Sequence, residues 1–355
     1  MRDLLPRHQF SFLYKEFEMK KMWMVLVAAF VLAAAVWGAP AQSVAADKIV
    51  LGMPVRPPVM VHLPVFYALD NDIFKKHGLD VEIKFFRGGV ATHRAITSKK
   101  SGLDAAWVPA PIAMVGITKG SGMKFFHSMA FLNEAQMAAN DQVKKPADLR
   151  GKTIGIEGRG GYSHLGALAV LSTAGLADKD VNYIKTPPPA RVPFLLKGKA
   201  DAVVIHVEQV LVVKKRKPSF NKLMDLWKAM PNFFYGAFIA PSSKINANKD
   251  AYVRFAMAMM QSTRSIYKDK AGYLKSANKW VRPVYKKNPE IMSKTYDVFV
   301  AEKIWGLNNG IPKASVSFTA DYMKRLGKIK GKVPSYEDIV DTSVTKSALA
   351  KAGKI

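Results

Sequence analysis

Residues 146–164 read PADLRGKTIGIEGRGGYSH. A polar stretch ends at Lys152, and 153–156 is a short apolar run. Gly158, Gly160 and Gly161 break regular structure, and a helical pattern then runs over 163–174 to a closing Gly175. Strand, glycine turn, helix and C-capping glycine make one βα unit. Downstream, 181–185 predicts a strand, Pro187-Pro188-Pro189 a break, 190–196 a helix and 201–205 a strand. Upstream, strands are predicted at 48–54, 80–86, 103–108 and 123–129. Helices are predicted at 64–76, ended by His77-Gly78, and at 91–100 and 109–119. Strands alternating with helices imply βαβ units and a mostly parallel sheet. The pattern restarts at 134–140, shows a late strand at 233–240, and becomes amphipathic helix from about Asn248 (252–267, 271–281, 289–299 and 316–326). The reading is an α/β chain with two lobes. One is formed by 47–133 and 241–355, the other by 134–240, joined by crossovers near 130–142 and 232–241 that suggest a hinge.

The N-terminus reads as a sorting signal. Residues 1–18 show no usable periodicity and are expected to be an upstream extension. Met19-Lys20-Lys21 is a positive start, Trp23 to Ala39 carries no charge, and Val44 and Ala46 (or Ser43 and Ala45) are small residues before Asp47. This is a secretory signal peptide over 19–46. The alternative, a membrane anchor, needs about 20 apolar residues, and the uncharged run is short for that. The chain carries 54 Lys+Arg against 27 Asp+Glu, a net +27, of which +25 stays after residue 46. Such a charge points to anionic partners. Export, and basic residues spread without clustering or a nucleic-acid-binding motif, argue against nucleic acid. The absence of Cys excludes disulfides, thiolate metal sites, lipid anchoring through Cys and a Cys nucleophile.

Several segments resemble a known family in order and spacing. They are LGM at 51–53, DIFKKHGLDVE at 72–82, Gly88-Gly89, SGLDA at 101–105, PADLRGKTIG at 146–155, YSH at 162–164, Gly175-Leu176, Asp180-Val181 and LKGKADA at 196–202. Together they are similar to the periplasmic solute-binding proteins of ABC importers, in the nitrate, sulfonate, taurine and thiamine-precursor group. The resemblance spans about 47–345. It implies a type II periplasmic-binding-protein fold with ligand in the cleft between two lobes. It also implies delivery to an inner-membrane permease and a soluble periplasmic protein, expected to be a monomer without cofactor.

In open α/β sheets, ligands sit beyond the carboxyl ends of the strands, and helices starting there aim N–H groups at anions. The strand tips hold Arg56 and His62, then Arg87, Gly88, Gly89 and His93, then Trp107 and Pro109. In the second half they hold Arg159, Gly160, Gly161, Tyr162, Ser163 and His164, then Arg191, then His206 and Glu208. Arg56, Arg87 and Arg159 offer planar pairing with a carboxylate or sulfonate. Ser163 either caps its helix or donates to ligand. His164 is a structural or a contact residue on position alone, and the resemblance at Ser163-His164 implies contact. His206 lines the cleft or caps the following helix. Trp107 is either core or a face for stacking. Phe131, Phe234 and Tyr235 near the crossovers are weaker candidates.

Catalysis fits poorly. The His residues are dispersed, there is no His-Glu-x-x-His, and Gly161-Tyr162-Ser163-His164-Leu165 lacks the second glycine of a nucleophile elbow. No P-loop ending and no full dinucleotide fingerprint occur. Three alternatives stay open: a thiamine-pyrimidine-synthase-like enzyme, a periplasmic sensor subunit, and a binder of a neutral heteroaromatic. The synthases rely on a Cys-rich segment that this chain lacks. N-terminal sequencing of periplasmic material is expected to give a chain starting near Asp47. Cytoplasmic retention, or a mature N-terminus before residue 30, contradicts the export reading.

Overall fold

The computed structural model describes residues 46–98 and 100–355. The expected extension and signal peptide lie outside the described residues. Four strands open the described chain: β1 (Asp47–Met53), β2 (Leu79–Phe85), β3 (Ala105–Pro109) and β4 (Met123–His127). Five more follow: β5 (Gln136–Ala139), β6 (Thr153–Ile156), β7 (Asn182–Lys185), β8 (Ala202–Ile205) and β9 (Asn221–Asp225). A last strand, β10 (Gly236–Pro241), returns to the first group. The result is two five-stranded sheets, ordered β2-β1-β3-β10-β4 and β7-β6-β8-β5-β9.

The helices nearest the strand tips are α1 (Leu63–Asp70), α2 (Gly89–Thr97), α3 (Ala110–Thr118), α4 (Tyr162–Thr173), α5 (Arg191–Leu196) and α6 (Val207–Arg216). The expected helix 64–76 is two pieces. Asp72 takes a left-handed φ of 54°, and a short second helix covers Ile73–Lys76. Both α6 and β9 went unassigned in the sequence reading. In α6 an apolar run passes straight into Lys214-Lys215-Arg216, and β9 is a polar edge strand.

In each sheet four of the five strands run one way, as a mostly parallel sheet requires, and one strand runs against them. β1 runs parallel to β2 and β3, and β6 runs parallel to β7 and β8. β10 is antiparallel to β3 and β4, and β5 is antiparallel to β8 and β9. The cause is the brevity of the crossings. The chain passes from the carboxyl end of β4 to β5, and from that of β9 to β10. A strand entered at the carboxyl ends of its neighbours must run away from them. The two crossings lie side by side. Tyr235 N–H donates to Phe131 C=O at 2.9 Å, and Leu226 N–H to Ala135 C=O at 2.9 Å.

Returning strand β10 lies in the middle of the first sheet, where Phe238 is fully buried. Its ring meets Phe255 at 5.1 Å and Trp107 at 5.2 Å between centroids, and stacks on His127 at 6.1 Å. Phe255 belongs to α7 (Lys249–Ile266), which covers that face. Phe238→Ala removes this ring from a closed core, and urea denaturation should show a loss of about 3–5 kcal/mol. A loss below about 1 kcal/mol would contradict the closed packing of the Phe238 ring in this core.

Candidate functional site

A cavity of about 350 Å³ opens where the carboxyl ends of both sheets' parallel strands converge. That is within the usual range for small-molecule sites. Its walls come from Pro54 and Val55 after β1, Arg87, Gly88 and Gly89 after β2, and Trp107 and Pro109 on β3. From the second sheet come Glu157, Gly158 and Arg159 after β6, Pro187 and Pro188 after β7, and His206 after β8. His62, Gly161, Tyr162, Arg191 and Tyr235 complete the polar and aromatic lining.

In the turn after β2, Gly89 has no room for a side chain, and Gly88 takes a φ of +100° that favours glycine. A Cβ on Gly89 would stand 2.5 Å from the Pro109 ring, so the turn is pressed against the end of β3. In the second sheet, the turn after β6 is built around Glu157. Ser163 is fully buried at the start of α4, and its Oγ accepts from Glu157 N–H at 3.0 Å and donates to Glu157 Oε2 at 3.3 Å. Glu157 Oε2 also takes the Arg191 guanidinium, and Arg191 is only 3% exposed. A second guanidinium nitrogen of Arg191 donates to Val204 C=O at 3.4 Å, and its Nε has no partner.

Of the strand-tip residues, the sequence assigns fourteen to the site, all but His93, Arg191 and Glu208, and ten of these line this cavity: His62, Arg87, Gly88, Gly89, Trp107, Pro109, Arg159, Gly161, Tyr162 and His206. Four do not. Arg56 is exposed and lies over the Phe85 ring at 5.5 Å. Ser163 is committed to Glu157. Both ring nitrogens of His164 are used by the protein: Nδ1 accepts from Gly160 N–H at 2.9 Å and Nε2 meets Asp178 at 2.9 Å. Gly160 takes φ +77° and serves that bond. Hence His164 and Gly160 fix the turn rather than face the cavity.

Trp107 is fully buried. His62, Tyr235 and Phe238 meet it edge to face, at 5.8, 5.9 and 5.2 Å, so its ring is wall rather than open platform. Its indole N–H and both His62 ring nitrogens have no partner among the described residues. Burial, with the neighbouring His206 charge, pushes the His62 imidazole down to about 3, so it is neutral. Arg159 is exposed, pairs with Asp178 and lies over the Tyr183 ring at 5.0 Å.

Two polar residues that meet no bulk water stand behind the wall. Glu134 is fully buried on the first crossover and pairs with His206 Nδ1. Burial by itself would lower the His206 pKa, but the Glu134 charge and hydrogen bond, with Glu208, raise it above its ordinary value. Glu208 is also fully buried. Its Oε1 accepts from Met60 N–H at 3.3 Å, Oε2 has no partner, and burial pushes its carboxyl up to about 7. Sequence reading named Arg191 and Glu208 as tip residues without assigning them to the site. Glu134 and Glu157 were missed. Glu157 immediately follows β6, so the tip rule itself could have found it, whereas nothing in the sequence pairs Glu134 with His206.

Among the described residues there is no group of three or more His, Asp or Glu suited to a metal, and no helix is long and apolar enough to cross a membrane.

No curated protein matches the sequence. Among solved structures, the alkanesulfonate-binding protein SsuA of Xanthomonas axonopodis pv. citri, bound to MOPS, is 14% identical with a TM-score of 0.66, covering 82% of this chain and 98% of that one. The periplasmic nitrate-binding protein NrtA of Synechocystis is 14% identical with a TM-score of 0.67, covering 86% and 89%. A Candida albicans gene product described as having the generic periplasmic-binding-protein fold is 13% identical with a TM-score of 0.62, covering 87% and 96%. These likenesses give the fold that the two sheets and their crossings describe, a periplasmic-binding-protein fold. The family model described as NMT1/THI5 like matches residues 59–271, more than half of the sequence, and the chain belongs to that family.

Proposed function

We propose that the chain is the solute-binding component of an ABC-type importer, and that its cavity captures a small organic anion of sulfonate or carboxylate type. The observation that carries the reading is the charge of the lining: Arg87, Arg159, Arg191 and His206 converge on one cavity whose sole lining carboxylate is Glu157. Apolar and aromatic walls from Val55, Ile112, Trp107, Tyr162 and Tyr235 suit the carbon part of such a ligand. Neighbours of the same fold that bind alkanesulfonate and nitrate support an anion. The protein works as a periplasmic monomer that hands its ligand to a membrane permease without changing it. Closure turns on the two adjacent crossings, 128–135 and 226–235. A synthase of the same family is the enzymatic alternative, and recovery of the ligand unchanged after incubation speaks against it. A sensor subunit is separated from an importer by testing capture against a permease and a sensor kinase.

Calorimetry with methanesulfonate, butanesulfonate and butyrate tests the ligand class. Arg87→Ala and Arg159→Ala change exposed positions and leave the fold intact. Each should weaken binding about tenfold, the lower end for a lost hydrogen bond to a charged group. Raising salt should slow capture, because the +25 chain steers an anion. If neither arginine change weakens binding and salt has no effect, the anion reading is wrong and the ligand is a neutral heteroaromatic. Small-angle scattering is expected to show a smaller radius of gyration with saturating ligand. An unchanged radius in a chain shown to be open beforehand contradicts the hinge.

A further inference from the structure

Glu134 is a carboxylate with no exposed surface on a segment that carries the chain from one sheet to the other. A buried carboxylate is tolerated only when compensated. Its compensation is specific: one oxygen meets His206 Nδ1, and the other accepts from Val207 N–H at 3.4 Å, at the first turn of α6. With Nδ1 so engaged, the other ring nitrogen of His206 is the one left for the cavity, and among the described residues it has no protein hydrogen bond. The ring plane is fixed as well. Tyr162 stacks on it at 6.3 Å and 16°, and the Tyr162 hydroxyl donates to Asn133, the neighbour of Glu134, at 2.5 Å.

We propose that Glu134 is a positioning residue that holds His206 as an imidazolium, with Nε2–H offered to the anion in the cavity. The inference rests on the anion reading above. It adds that capture is linked to a proton. The charged and titratable groups facing His206 are Glu134 from the crossing, Glu208 from α6, Arg191 from α5, Tyr162 from α4 and His62 from the first lobe. Burial and, to a lesser degree, Arg191 lower the His206 pKa, and Glu134 and Glu208 raise it, for a net rise. The sign follows. An anion beside the ring favours its charged form, so affinity is level below the raised pKa of the free protein and falls as pH rises through it.

The test uses the mature chain and methanesulfonate, which stays anionic across the whole pH range, so any pH dependence belongs to the protein. Proton–nitrogen NMR of the histidine rings, with His206 assigned by His206→Gln, reads the titration directly. His206 is expected to titrate above its ordinary value of about 6.5. In Glu134→Gln, which keeps the shape and loses the charge, it should fall by at least about one pH unit. Glu134→Asp should restore part of the difference and serves if the Gln variant does not fold. Methanesulfonate affinity should drop about tenfold or more between pH 6 and pH 8.5 in the unaltered chain, and little in Glu134→Gln or His206→Gln. An unchanged His206 titration in Glu134→Gln overturns the role of Glu134. Methanesulfonate binding with the same affinity at both pH values overturns the imidazolium contact and leaves the anion reading standing. Absence of methanesulfonate binding at either pH contradicts both.

Discussion

A guanidinium that is 3% exposed has to be compensated, and the site is arranged around the compensation of Arg191. Leaving one partner of a buried ion pair alone costs about 3–5 kcal/mol. The counter-charge is Glu157, supplied by the first residue after β6. Glu157 is in turn tied to the start of α4 through the buried Ser163 hydroxyl. The turn between them must therefore close tightly, and Gly160, at φ +77°, lets it do so while its N–H reaches His164. One arginine thus sets the position of a carboxylate, a serine, a glycine turn and a histidine, and with them one wall of the cavity.

The second organising constraint is topological. Both crossings start at the carboxyl ends of strands and are short, so β5 and β10 run against their neighbours. The crossings must then pass beside the cavity, which is why Asn133, Glu134 and Tyr235 come so close to the site. Asn133 anchors Tyr162, Glu134 anchors His206, and Tyr235 is itself a wall residue. The segments about which the lobes would turn are thus bonded to the groups that would hold ligand. Under the proposed closure, rotation and recognition would share hydrogen bonds.

Much of this was legible in the sequence, because it follows from period and punctuation. The βα alternation and the late strand near 233 reflect apolar runs bounded by Gly or Pro, and the restart near 134 a short apolar run between polar residues. The tip rule then brought ten residues to one cavity without any side-chain information. Legibility ended where orientation decides. Ser163 and His164 sit at a strand tip as expected, yet Ser163 turns toward Glu157, within the turn itself, and His164 toward Asp178, beyond the far end of α4. Sequence position does not tell a residue that meets ligand from one that shapes the loop. Glu134 was illegible for a different reason: its partner is 72 residues away, and the pairing exists only once β5 is seen to be antiparallel to β8. The reversal of β5 and β10 in otherwise parallel sheets was illegible for the same cause, since a crossing's direction is not written in its composition.

The central claim is that this cavity holds a small organic anion, and native mass spectrometry of the protein purified gently from its native cells tests it most directly. The account predicts a one-to-one adduct. On release it should ionise as an acid small enough for a cavity of about 350 Å³. An adduct released as a neutral or cationic species, bound one to one in the same cavity, would contradict it.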